Sequence, residues 1–167
     1  ITAMPLEAAA ALPRLSTFRR EELRSLVAPL RQIGLRRGET AIGAGRPAAR
    51  CLLVLRGALA LHFAHEGQQS VFAIIGPGGI AGEIALLDGA PEPLTALARE
   101  DTLALEIDKL TFDILARGGT TVAHKFLAAV TTSATAVLRR ASAHLARLEG
   151  AVQVADTITP IERREAS

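Results

Sequence analysis

Apolar and polar positions change period twice along this chain. Residues 5–12 are alanine-rich and suit a helix. Ser16 or Thr17 is placed to cap a helix over 18–26, with Glu21 and Glu22 in its first turn and Pro29 near its end. From residue 34 to 107 short runs of Val, Ile and Leu alternate with Gly, Pro and charged pairs about every ten residues, the punctuation of an all-β roll or barrel. The expected strands are 32–36, 40–43, 51–56, 58–64, 69–75, 94–99 and 102–107, with turns at 65–68 and 76–79. After Ile107 a helical period returns. Asp108 caps a helix to about residue 116, Gly118 and Gly119 break it, and residues 121–148, free of Gly and Pro, predict one long helix.

Within that helix Leu127, Ala134, Ala141 and Leu148 recur every seven residues, and Leu138 and Leu145 follow Ala134 and Ala141 by four. This approximates a helix-pairing seam whose alanines allow close approach, and it predicts a homodimer through 121–148. The segment 150–167, with Gly150 and Pro160, reads as a loose polar tail or hinge remnant beyond a single domain over 1–149.

Composition narrows the function. A formal charge of +2, without Trp or Tyr, gives neither a basic stripe nor an aromatic platform, so direct nucleic-acid binding is not expected. No apolar run is long enough for a membrane span, and the first residues lack a secretory pattern. Cys51, the single cysteine, heads the apolar run 51–55 and is expected to pack as a small hydrophobe, which fits a cytoplasmic protein. His62 and His65 fall on opposite faces of a strand and make no metal site. No nucleophile–histidine–carboxylate arrangement is present, so no enzyme activity is expected. Gly76-Pro77-Gly78-Gly79-Ile80-Ala81 superficially matches a dinucleotide-binding turn, but prolines 91 and 93 interrupt the long helix such a turn requires.

The richest stretch is 76–98. A glycine-rich turn runs into a short apolar helix at 82–87, too brief to satisfy most of its backbone N–H groups, then a loop bounded by Pro91 and Pro93, then a strand. This segment resembles the phosphate-binding cassette of the cyclic-nucleotide-binding domain family, found in Crp/Fnr-type regulators, kinase regulatory subunits and gated channels. Gly82, Glu83, Ala85 and Leu86 match the first half of its pattern, and Pro91 and Thr95 the second. Segments 13–18, 21–23, 35–40, 52–61 and 108–112 also resemble the family, in its order, over roughly 12–149.

The resemblance implies a double-stranded β-helix, a jelly-roll-like β-roll with N-terminal helices and a long C-terminal helix. It further implies a non-enzymatic regulatory module that senses a cyclic nucleotide (cAMP or cGMP) or another small anion and signals through that helix. Implied ligand contacts are Gly82, Glu83, Ile84, Ala85, Glu92, Pro93 and Thr95, with Glu83 toward a ribose hydroxyl and Ser142 and His144 reaching from the long helix toward the base. Two positions depart from the pattern: the phosphate-pairing arginine falls on Glu92, and the following Ser/Thr falls on Pro93, which lacks both hydroxyl and N–H. Losing one charge-assisted bond costs about ten- to a hundredfold in affinity, so weak or lost cyclic-nucleotide binding is expected unless Arg46, Arg50 or Arg99 substitutes. The effector is then a partner protein or a missing domain: either the sensor part of a transcription regulator without its helix-turn-helix, or a dimerisation scaffold with an empty cassette.

Overall fold

The unbroken apolar run 51–55 becomes the strand Arg50–Arg56, and its two faces explain why it shows no alternation. Leu52 and Val54 point between two sheets, where they meet Ile42, Leu59, Leu61 and Ala96. Cys51, Leu53 and Leu55 point the other way, into a second core with Leu23, Leu26, Phe112 and Phe126. A strand covered on both faces needs no polar side.

The computed structural model describes residues 3–65 and 68–157. In chain order the elements are α1 (Ala3–Ala10), a 3₁₀ turn (Pro13–Leu15), α2 (Arg20–Val27), β1 (Arg31–Leu35), β2 (Thr40–Ile42), β3 (Arg50–Arg56), β4 (Leu59–His65), β5 (Gln68–Ile75), β6 (Ile80–Ala81), α3 (Glu83–Asp88), β7 (Thr95–Ala98), β8 (Thr102–Asp108), α4 (Lys109–Arg117) and α5 (Thr121–Thr157). Two four-stranded sheets, ordered β1-β8-β3-β6 and β2-β7-β4-β5, pair antiparallel throughout and face each other as a jelly-roll. The expected mainly-β roll with flanking helices is therefore present.

Gly57 makes the sharp β3–β4 turn. Its φ is 86°, and a Cβ there would lie 2.6 Å from the Asp101 carbonyl oxygen. Thr102 Oγ1 accepts from Ala58 N–H (3.1 Å) and donates to the Glu100 carbonyl (2.8 Å), locking the turn to the start of β8.

The helices close the open face of the first sheet. Phe112 of α4 and Phe126 of α5 meet edge to face with centroids 5.7 Å apart, worth about 1 kcal/mol beyond their buried area. Lys125 Nζ pairs with Glu22 Oε2 (2.5 Å), donates to the Thr17 carbonyl (2.7 Å) and lies 5.7 Å from the centre of the Phe18 ring. The root of α5 is thereby fixed to α2.

Several boundaries differ from the sequence reading. Ser16 and Thr17 do not cap α2. Pro13 starts a 3₁₀ turn, Ser16 closes it, and α2 begins only at Arg20, with Glu22 Oε2 accepting from Arg19 N–H at 2.8 Å. Asp108 does cap α4, accepting from Thr111 N–H at 2.7 Å. Leu94 lies before β7 rather than in it, and the two-residue β6 was not anticipated. The turn at 66–67 lies outside the described residues. The long helix does not stop at 148 but continues through Gly150 to Thr157, because one helical glycine costs only about 1 kcal/mol among good helix formers. The proposed loose tail is thus helical over 150–157, and residues 158–167 lie outside the described part.

Candidate functional site

The glycine-rich turn is held on β3 by two backbone bonds, Gly78 N–H to Val54 O (2.8 Å) and Val54 N–H to Gly79 O (2.9 Å), and closed on itself by a third, Gly79 N–H to Gly76 O (2.9 Å). β6 continues the pairing through Leu52 and Leu53 and delivers the chain to Gly82. Gly82 has φ 87°, and a Cβ there would meet the Arg50 carbonyl oxygen and Ile42 Cδ1, each at 2.6 Å. Only glycine fits, and the turn it makes starts α3 against the roll.

On the far side of α3, the Glu92 backbone bridges to the loop after β2. Glu92 N–H donates to Arg46 O and Gly45 N–H to Glu92 O, both at 2.8 Å. Together these supports place Gly82, Glu83, Ile84, Glu92 and Pro93 on one cavity, closed further by Leu61, Leu94, Ala96 and Val137 of α5. The cavity measures about 20 Å³, the room of roughly one water molecule.

The electrostatics run against an anion. Glu83 is 2% exposed and Glu92 6%. Burial raises the Glu83 carboxyl above the ordinary range, opposed by its own backbone N–H, the nearby Ser133 and the charge of Arg14. The Ser133 hydroxyl is itself directed to the Ile80 carbonyl (3.3 Å), and Glu83 Oε1 has no hydrogen-bond partner among the described residues. Burial, then the charges of Glu83 and Asp88, push Glu92 up to about 7. Among the described residues, no arginine, lysine or histidine lines the cavity. Of the cations that could have replaced the missing arginine, Arg50 pairs with Glu106 (2.7 Å) and donates to Ala41 O (2.9 Å), while Arg46 and Arg99 are exposed.

Beside this cavity lies a larger, mainly apolar chamber of about 440 Å³. The two share Ile84, Pro93, Leu94 and Val137 as walls. Phe63 and Phe72, edge to face at 4.8 Å, form one side, and α5 forms the other with Thr131, Thr135 and Leu138. His144 stacks near Phe63 at 6.1 Å, at the edge of this group, whereas Ser142 is exposed and on neither wall. Thr95 accepts from Ala44 N–H (3.1 Å) and lines neither cavity, and Ala85, buried within α3, lines neither. The sequence pattern did not reveal Phe63, Phe72, Thr131 or Thr135 as chamber residues. The partial signal was their spacing, alternate positions on strands and four-residue steps on a helix.

The model of the cyclic nucleotide-binding domain matches residues 32–118, just over half of the chain, from β1 through α4 and including the whole cassette. The chain belongs to the cyclic nucleotide-binding domain family. No curated protein matches the sequence at a significant level. Among solved structures, a cyclic nucleotide-binding domain from Methylobacillus flagellatus KT is 22% identical with a TM-score of 0.72, over 85% of this chain and 80% of that one. The Thermus thermophilus catabolite activator protein is 26% identical with a TM-score of 0.60, over 87% of this chain and 62% of its own. A cAMP-binding acyltransferase from Mycobacterium smegmatis is 33% identical with a TM-score of 0.59, over 71% of this chain but only 37% of its own length. The domain is thus of the regulatory sensor type. No described helix is long and apolar enough to cross a membrane.

Proposed function

We propose that this domain is a non-enzymatic, cytoplasmic ligand-sensing module whose cassette binds cAMP and cGMP weakly or not at all, and which signals through α5. The observation that carries the reading is Glu92: the position of the family's phosphate-pairing arginine holds a buried carboxyl that faces the same cavity as Glu83. A cyclic phosphate placed there would lose a charge-assisted bond, and above about pH 7, where Glu92 ionises, it would meet like charge as well.

The route to α5 is short. Ser133 donates to the carbonyl of Ile80, two residues before the cassette turn, and Val137 is a wall of both cavities. A ligand that moves the cassette therefore pushes directly on α5. Leu138, at the chamber's edge, and Leu145 and Leu148 further along remain 65%, 59% and 51% exposed on that helix, which supports pairing with a second copy.

The likeness to the catabolite activator protein favours a second reading, the sensor part of a Crp/Fnr-type transcription regulator acting through an effector domain. An empty-cassette assembly scaffold is the third. A melting-temperature screen with cyclic nucleotides, cyclic dinucleotides and common anions separates the sensing module from the scaffold. A ligand at a hundred times its dissociation constant adds about 2.7 kcal/mol of stability, and the proposed module shows no such gain with cAMP or cGMP. A scaffold shows none with any ligand.

A further inference from the structure

We propose that a third cavity, between the glycine-rich turn and α5, is a binding site for a small, doubly charged oxyanion held by Arg14 of the 3₁₀ turn and Arg140 of α5. The inference does not rest on the cassette reading. This cavity shares only Val137 with the one that Glu83 and Glu92 face, and neither arginine lines that one.

The cavity measures about 200 Å³, room for several water molecules and hence for a small oxyanion. Gly76, Gly79, Ser133 and Val137 are among its walls. Arg14 lies along the turn: a Cβ on Gly78 would sit 3.9 Å from both its Cβ and its Cδ. Gly78 has φ 80°, so the turn presents bare backbone beneath the arginine stem. Arg140 arrives from α5, and both arginines are exposed, so an anion reaches them from solvent.

Charge singles this cavity out. Two cations far apart in the sequence meet on it, and among the described residues no aspartate or glutamate lines it. Elsewhere the chain neutralises such groups: Arg31 and Arg50 share Glu106, Lys109 meets Asp113 and Lys125 meets Glu22. Even the cavity that carries Arg36 and Arg56 has Asp101 in its wall. Neither Arg14 nor Arg140 forms an ion pair among the described residues. Glu83 feels the charge of Arg14 but is 2% exposed and lines the other cavity, so it does not supply the missing counter-charge here. Two guanidiniums on one concavity repel each other, and an anion between them reverses that cost. Each offers a planar fork that matches the oxygens of a phosphate or a carboxylate. A single negative charge leaves one arginine uncompensated, which favours a dianion.

Isothermal titration of the intact chain with inorganic phosphate and with succinate tests this, at about pH 8 and about 0.15 M chloride to screen non-specific attraction. One dianion per chain is expected to bind with a Kd of about 1 mM or tighter, and the better probe tells a phosphate-type from a dicarboxylate-type ligand. Arg14→Gln and Arg140→Gln are each expected to weaken binding about tenfold or more. Arg147→Gln, which removes an exposed arginine further along α5, is expected to change it less than about twofold. These are surface substitutions that keep the fold, which circular dichroism melts verify. A thermal gain with phosphate that Arg14→Gln removes belongs to this site and leaves the cassette reading untouched. Absence of saturable binding by either dianion overturns the inference. So does binding that survives both Arg14→Gln and Arg140→Gln, which places the anion elsewhere, the cassette included. An equal loss in Arg147→Gln reduces the effect to general charge and overturns it as well.

Discussion

Glu83 and Glu92 reach the same cavity from opposite ends of the cassette, one from the first residue of α3 and the other from the proline-bounded loop before β7. The charge of Glu83 adds to burial in raising Glu92 to about 7. In the unfolded chain Glu92 titrates near its ordinary 4.5. Between these values the folded protein keeps a proton that the unfolded chain releases. Stability from this group is therefore full at pH below about 4.5 and is lost as pH rises through about 7. Glu83 shifts in the same direction. Glu22, Glu106 and Asp108 shift downward, so their stabilising effect is lost only as pH falls below the ordinary carboxylate range.

Glu92→Gln should accordingly raise stability by about 1–3 kcal/mol at pH 8 and leave it nearly unchanged at pH 4. Urea unfolding at the two pH values checks this. An equal gain at both would mean that Glu92 is not a buried titrating group.

Gly82→Ala should cost about 2–4 kcal/mol, since it combines a left-handed backbone with a Cβ 2.6 Å from the Arg50 carbonyl oxygen. Gly89→Ala is the useful comparison. Its φ of 73° is also left-handed, but nothing lies within 4 Å of the added carbon, so it should cost about 1 kcal/mol. Thermal melts of the two variants separate conformational strain from collision. Equal losses would remove the case for close approach at Gly82.

Replacing Leu138, Leu145 and Leu148 by glutamate should abolish dimerisation while leaving the melting temperature of the roll within a few degrees. These side chains face solvent in the single chain, and surface changes cost little. Sedimentation equilibrium reads the first effect and circular dichroism the second. A dimer that survives the triple change would place the interface elsewhere.

Much of the roll was legible because its signals are local. The continuous run 51–55 announced a strand, and Asp108 announced a helix start that its bond to Thr111 N–H realises. Ser16 and Thr17 misled because Pro13, three residues earlier, begins a separate turn. β6 escaped because two residues carry no readable period.

The cassette was legible as a pattern, including its departure at Glu92, but the direction of that side chain was not. It is set by backbone pairing with Arg46, distant in sequence. The chamber is less legible still. Phe63 and Phe72 meet across a β4–β5 ladder with a bulge between Leu61 and His62, and α5 reaches them from some sixty residues further along. Pairing register and helix docking are long-range properties that no window of sequence contains.

In the proposed reading, a pocket of this family's shape has exchanged its cationic partner for a buried carboxyl. Isothermal titration of cAMP into the unaltered chain and into Glu92→Arg tests it most directly. The expected result is no measurable binding by the unaltered chain up to about 1 mM and a gain of at least tenfold for the arginine variant. Micromolar binding by the unaltered chain would contradict it.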